Sequence, residues 1–302
     1  METILQKKIN KQDKILISEI RPPACGNPEK LKAIAKKYAE TGCALGVSDN
    51  RNGLCMSSLA ASYILAQEGI EPIMHMTTRD RNRIALLSDC LGAQSLGINN
   101  LLLTSGTHQT LGSFKKAKCV FDIDSIQLTS VLNNINQNAD IIGLDKIENT
   151  GPFFIGGVAD PYADPLDMQI MRIMKKIKAG VKYIITKPVF DLTLFDKWWE
   201  KIQAAGIPEK IAIVAGIRIL TDSDKVKALS KSRPNPKIPD DLIKQISSIQ
   251  NKTDTRKEGI KIAIETITEL SKKKGIMGFA IDGDSDDDAA LQVIDESGLG
   301  GT

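Results

Sequence analysis

The chain has 302 residues, 25% of them charged and 42% apolar, with 40 lysines and arginines scattered among 37 aspartates and glutamates for a net charge of +3. That length suits one large α/β barrel or two ordinary domains. A nearly balanced charge without a basic block, and aromatic residues at only 4%, exclude the concentrated basic face or base-stacking platform that a nucleic-acid partner needs.

In chain order, the first stretch, METILQKKINKQDK, is polar and lacks the apolar core of a signal peptide. No apolar run approaches the ~20 residues that span a bilayer, so the expected location is the cytoplasm, with no membrane partner. A buried strand, ILISEI, is predicted over 15–20, followed by a helix from about 27 to 41 that stops at Gly42. ALGVSD (44–49) is the second strand, and the helix over SSLAASYILAQEG has Ser57 as its N-cap. IMHMT (73–77), a helix over NRIALLSDCLGAQSLG, and LLLTS (101–105) come next. A long connection rich in Gly, Ser and Lys, 106–118, then leads to a helix starting near Asp122. FFIGGVA (153–159), YIITKPVF (183–190), IAIVAGIR (211–218) and GFAIDGD (278–284) complete the strands, each separated from the next by helical pattern.

Eight βα units over this length predict a (β/α)8 TIM barrel. A doubly wound open sheet has the same alternation. The barrel is preferred because there are eight units, no dinucleotide glycine fingerprint follows the first strand, and strand after strand ends in polar groups. Those ends are Ser18 and Glu19, Ser48 and Asp49, Thr77, Thr104 and Ser105, Thr186 and Lys187, and Asp282 and Asp284. A barrel gathers such ends around one mouth, where its active site lies. The polar stretch 231–254, with three prolines, is expected to be an extra helical excursion within a single domain. Five cysteines without a CxxC pair, and only two histidines, read as free thiols with no zinc site.

Glu19 closes an apolar strand, where partial desolvation would raise its pKa and suit a general acid; an ion pair with Arg21 or Arg79 is the equal alternative. TTRDRNR (77–83) reads as a solvated helix entrance with Asp80 at the helix N-terminus, or as a receptor for a polyanion. His75 suits a core hydrogen bond as well as a ligand contact. Gly156 and Gly157 permit a ring or phosphate to approach the backbone, or simply a bulge or tight bend. Arg172, Lys175, Lys176 and Lys178 form a basic helix that would also complement its own dipole. Asp286 to Asp288 are expected to begin the last helix without a metal.

Taken together, SEIRPP, the segment from MSSLAASYILAQEGIEPIMHMTTRDRNR through LGINNLLL, and then VFDIDSIQL, GGVADPYADP, KKIKAGVKYIITKPVFD and EGIKIAIETITEL resemble methylenetetrahydrofolate reductases in family order. The resemblance spans nearly the whole chain and is greatest to the short bacterial form of anaerobes that make or consume methyl groups. It implies a TIM barrel with a flavin near the strand C-termini, FAD first and FMN second, reducing 5,10-methylene- to 5-methyltetrahydrofolate. Electrons would come from NADH or through a partner subunit, and a homo-oligomer is expected. Glu19 matches the family's acid, which helps open the imidazolidine ring to the iminium. Ser48, His75 and the Ser105-Gly106-Thr107 loop match flavin-contact regions. Gly157, Asp160 and Lys176 lie where the family holds the ribityl, phosphate or adenine portions.

Two positions depart from the family pattern. Thr107 stands where an aspartate is usual, and Lys187 where a glutamine hydrogen-bonds the pterin. An ammonium has only donors, whereas a carboxamide also accepts. The two exchanges add two positive units to the site, which would favour an anionic reduced flavin or an anionic ligand. The leading expectation is a flavin-dependent methylenetetrahydropterin reductase. A flavin-poor pterin-binding subunit of a methyl-transfer complex is the second. An aldolase-like barrel with Lys187 as a Schiff-base amine is the third, which borohydride trapping would reveal.

Overall fold

Runs of branched apolar residues become parallel strands here because a strand covered by helices is buried on both faces. The computed structural model describes residues 2–51, 53–112, 114–138, 147, 151–232 and 236–300. Its strands are β1 (Ile15–Ile20), β2 (Ala44–Val47), β3 (Pro72–Thr77), β4 (Asn100–Thr104), β5 (Phe154–Ala159), β6 (Tyr183–Pro188), β7 (Ala212–Arg218) and β8 (Ile276–Asp282). They pair in sequence order as one closed parallel barrel, with β8 returning to β1 through Ile15 opposite Gly278 and Ile17 opposite Ala280. This is the (β/α)8 TIM barrel; closure excludes the open doubly wound sheet.

Helices α1 (Ile4–Lys11), α2 (Glu29–Tyr38), α3 (Ser58–Gln67), α4 (Arg83–Ser95), α5 (Ser125–Asn136), α6 (Leu166–Ala179) and α7 (Leu192–Ala204) precede β7. α8 (Ser223–Ser230), α9 (Asp240–Ser248) and α10 (Lys252–Ser271) lie between β7 and β8, and α11 (Asp287–Glu296) follows. α9 falls inside the stretch read as an excursion; residues 233–235 of that stretch lie outside the described ones. Ser57 accepts from Ala60 N as the N-cap read from the sequence, and Asp286, expected at the start of the last helix, caps it by accepting from Ala289 N. The helix expected near Asp122 begins at Ser125, because Asp124 forms a reciprocal capping box with Gln127. All five cysteines are free. Among the described residues, no helix is long and apolar enough to cross a membrane.

Side chains alternate between two apolar clusters along each strand. Leu16, Leu45, Leu101 and Ile184 join the helix layer, with Trp198 and Phe195 from α7. Ile15, Ile17, Ile73, Leu102, Phe154, Tyr183, Ile185, Val214 and Ala280 fill the barrel interior. Leu5 and Ile9 of α1 pack against this inner cluster. α1 was not legible in the sequence, and Glu71 anchors its start by accepting from Ile4 N at 2.6 Å and Leu5 N at 2.8 Å.

Gly156 belongs to this interior. A Cβ there would overlap the ring of Tyr183, which is fully buried and donates its hydroxyl to Leu101 O at 3.2 Å. The space opened by this glycine is therefore filled by core packing. Gly156→Ala should cost about 1–3 kcal/mol by overpacking, read as a lower urea midpoint at unchanged slope. A midpoint equal to the parent's would show that the ring can yield.

Candidate active site

Continuing the inward rows toward the strand C-termini brings the polar residues together. On β1 the row Ile15, Ile17 reaches Glu19; on β3, Ile73 leads to His75 and Thr77; on β4, Leu102 to Thr104; on β6, Ile185 to Lys187; on β8, Ala280 to Asp282. Ser18, the outward neighbour of Glu19, does not line this mouth. Ser18 is fully buried, and its hydroxyl donates to Tyr38 Oη at 3.0 Å in the helix layer.

A cavity of about 200 Å³ at the mouth is lined by Glu19, Ser48, His75, Thr77, Gly106, Thr107 and Lys187, among others. A second, of about 380 Å³, carries Ser105, Asp160, Arg172 and Lys176. Thr104, Gly106, Thr107, Val158 and Lys187 line both, so the two form one cleft reaching from the barrel axis to α6. Gly157 stands apart from both linings; a Cβ there would make ordinary contacts with Lys176 Cδ and Val181 at 3.5 Å. Ser105 Oγ donates to Ser125 Oγ at 3.2 Å, tying the loop after β4 to the start of α5.

Glu19 pairs with neither Arg21 nor Arg79 but with Arg51, whose Nη1 donates to Glu19 Oε2 at 2.7 Å and to Asp282 Oδ2 at 3.2 Å. Burial is the leading influence on the Glu19 carboxyl and pushes its pKa up; Arg51 opposes this, Asp282 adds to it. Burial also works against an ionised Asp282, but Arg51 and Arg218 outweigh it and hold that carboxyl below its ordinary value. The Arg51 side chain is 42% exposed and that of Glu19 17%, so water weakens the pair.

His75 is buried, and its imidazole pKa falls to about 3, first through desolvation and then through Arg51. It is a neutral ring whose Nε2 has no hydrogen-bond partner among the described residues. Gly46 makes room for it, since a Cβ there would lie 2.8 Å from that nitrogen. Thr107 follows Gly106, whose φ of +81° and close approach to Thr77 admit no side chain. Lys176 donates to Val158 O, and desolvation, then Arg172, lowers its pKa to about 8.

Lys187 ion-pairs with Asp160 at 2.6 Å. Its charge is thus offset locally. The arginines of 77–83 are likewise engaged. Arg79 pairs with Asp80 at 2.6 Å, Arg81 bridges Asp49 and Asp89, and Arg83 holds Asp122 at 2.8 Å. Asp80 therefore serves Arg79, and Asn82 is the cap of α4. Sequence reasoning missed Arg51, which sits in the turn-like DNRNG, and gave no sign that Asp160 and Lys187 would meet.

The family model for methylenetetrahydrofolate reductase matches residues 4–298. Methylenetetrahydrofolate reductase 2 of Saccharomyces cerevisiae is 25% identical over 189 residues, which cover 59% of this chain and 28% of the yeast protein; the chain thus matches little more than a quarter of that relative's length. A Clostridium thermocellum protein described as binding two copies of 5-methyl-5,6,7,8-tetrahydrofolic acid superposes with a TM-score of 0.66 at 17% identity, covering 98% of this chain and all of that one. Tryptophan synthase from M. tuberculosis shares the fold at a TM-score of 0.50 and 10% identity, covering 97% of this chain and 93% of its own. With a family match running almost from end to end, this chain belongs to the methylenetetrahydrofolate reductase family.

Proposed function

We propose that this protein is a flavin-dependent reductase that converts 5,10-methylenetetrahydrofolate, or a related methylenetetrahydropterin, to the 5-methyl form. FAD is the preferred cofactor and FMN the second, with electrons from NADH or from a partner subunit. The observation that carries this reading is the placement of Glu19, a carboxyl with a raised pKa at the inner end of a cleft that also holds His75, Thr107 and Lys187. The C. thermocellum neighbour is described as binding 5-methyltetrahydrofolate, which is the product of this reaction.

The cleft suits a flavin. The orphaned Nε2 of His75 offers one hydrogen bond to a ring heteroatom, and Arg172 and Lys176 in the outer cavity suit a diphosphate. His75, Thr107 and Lys176 would hold the cofactor, which when bound supplies a hydride. Glu19 would deliver a proton to the amine nitrogen released as the imidazolidine ring opens. Lys187 and Asp160 together answer the lost glutamine: the ammonium donates and the carboxylate accepts, so the pair offers a pterin both functions of a carboxamide.

Mixing the apo-protein with FAD or FMN should give the spectrum of a bound oxidised flavin. A folded sample that binds neither flavin yet binds 5-methyltetrahydrofolate would sink the reductase reading in favour of a pterin-binding subunit.

A further inference from the structure

The charges around Glu19 come from many elements. Glu19 is on β1, Arg51 follows β2, Arg218 ends β7, Asp282 ends β8, and Lys225 of α8 reaches Asp284 at 3.2 Å. His75 faces the group from β3 as a neutral ring. Arg21 and Asp287 line the same small recess as Glu19 and Arg51.

The pairing is uneven. One nitrogen, Arg51 Nη1, serves Glu19 at 2.7 Å and Asp282 at 3.2 Å. Asp282 has a second cation in Arg218 at 3.9 Å and also accepts from Asp284 N at 2.9 Å. Arg218 is itself fixed by Asp284 and is 13% exposed, against 42% for Arg51. Arg51 follows Asn50, which turns the backbone into the left-handed region at φ 47°. The more exposed end of the cluster is therefore the cation that holds Glu19.

We propose that Arg51 is a positioning residue for the proton on Glu19: while its guanidinium spans both carboxylates it favours the carboxylate form of Glu19, and when it withdraws to Asp282 or to water Glu19 binds a proton from solvent more readily. This rests on Glu19 being the acid of the proposed reaction. The proton goes to Glu19 because Asp282 retains Arg218 when Arg51 leaves. Removing the nearest opposite charge from a partly desolvated carboxylate leaves burial unopposed. Binding a substrate that displaces Arg51 would thus arm the acid only when there is something to protonate.

The test is the titration of Glu19 in the ligand-free full chain, followed by the infrared carboxyl band of isotope-labelled glutamate with Glu19→Gln as the blank. Arg51→Met should move the midpoint up by about one pH unit or more, and Arg51→Lys should return it most of the way. Asp282→Asn should move it down, because a like charge is lost and Arg51 is left to Glu19 alone. Shifts of opposite sign are not expected of residues that merely hold the fold. Unchanged midpoints in Arg51→Met and Asp282→Asn, with only lower thermal stability, would overturn the proposal; if Arg51→Met does not fold, Asp282→Asn decides alone. The titration needs neither flavin nor turnover. Failure of the reductase reading would appear separately, as shifted midpoints with no effect of Glu19→Gln on pterin turnover.

Discussion

Glu19→Gln should leave the fold and flavin binding intact while slowing the pterin half-reaction by about 10²–10⁴-fold, the usual contribution of a general acid. The amide keeps the shape of the side chain and can still accept from Arg51 Nη1, but it has no proton to give. In the parent protein the rate should fall as pH rises through the folded pKa of Glu19, because a general acid acts in its protonated form and burial pushes that pKa up. The same shift fixes a sign for stability. A carboxyl whose folded pKa lies above its unfolded value contributes fully below the unfolded value and loses that contribution as pH rises through the folded one. Glutamine does not titrate, so the unfolding midpoint of the variant should gain on the parent's across that window. Pulse mixing of reduced enzyme with the methylene substrate checks the rate, and paired melts across pH check the stability. Equal pterin turnover by variant and parent would remove Glu19 from this role.

The barrel was legible because each buried parallel strand is a short apolar run, and its polar ending shows in sequence as readily as in space. Glu19, Thr104, Lys187 and Asp282 were all found in that way. What could not be read is which ends meet. Arg51 looks like part of an ordinary turn, and its partners Glu19 and Asp282 are 32 and 231 residues away. Asp160 and Lys187, 27 residues apart, match separate cofactor and pterin positions in the sequence, which does not show that they pair. The pair Gly156-Gly157 reads equally as room for a ligand or as a bulge or tight bend, because a sequence shows that a side chain is missing but not what fills the space, which at Gly156 is the ring of Tyr183. The strand period also separates Ser18 from Glu19, since successive side chains take opposite faces; of the two polar ends only Glu19 lines the mouth.

Thr107→Asp and Lys187→Gln should each lower the reduction potential of a bound flavin, and for one electrostatic reason. Thr107 lines the cleft beyond the tight turn at Gly106, with its carbonyl held by Arg79 Nη1 at 3.1 Å. A carboxylate placed there adds a negative charge and disfavours the anionic reduced ring. Lys187→Gln has the same sign by another route, because it leaves the Asp160 carboxylate, now paired at 2.6 Å, without its cation. A unit charge across a site of this breadth contributes about 2 kcal/mol at an effective dielectric near 20, roughly 40 mV for a two-electron couple. Asp160→Asn added to Lys187→Gln should then restore the potential, since it removes the charge that the first change exposed. Potentiometric titration of the four proteins of the Thr107–Lys187 cycle, alongside pterin affinity, separates the roles, because residues sharing one site are non-additive. If Lys187→Gln weakens pterin binding and leaves the potential alone, the Lys187–Asp160 pair recognises substrate without tuning the cofactor. Negligible, additive changes in both quantities would place Thr107 and Lys187 outside the active site. The cleft shared by β4 and β6 would then have to serve some other ligand, even with Glu19 intact.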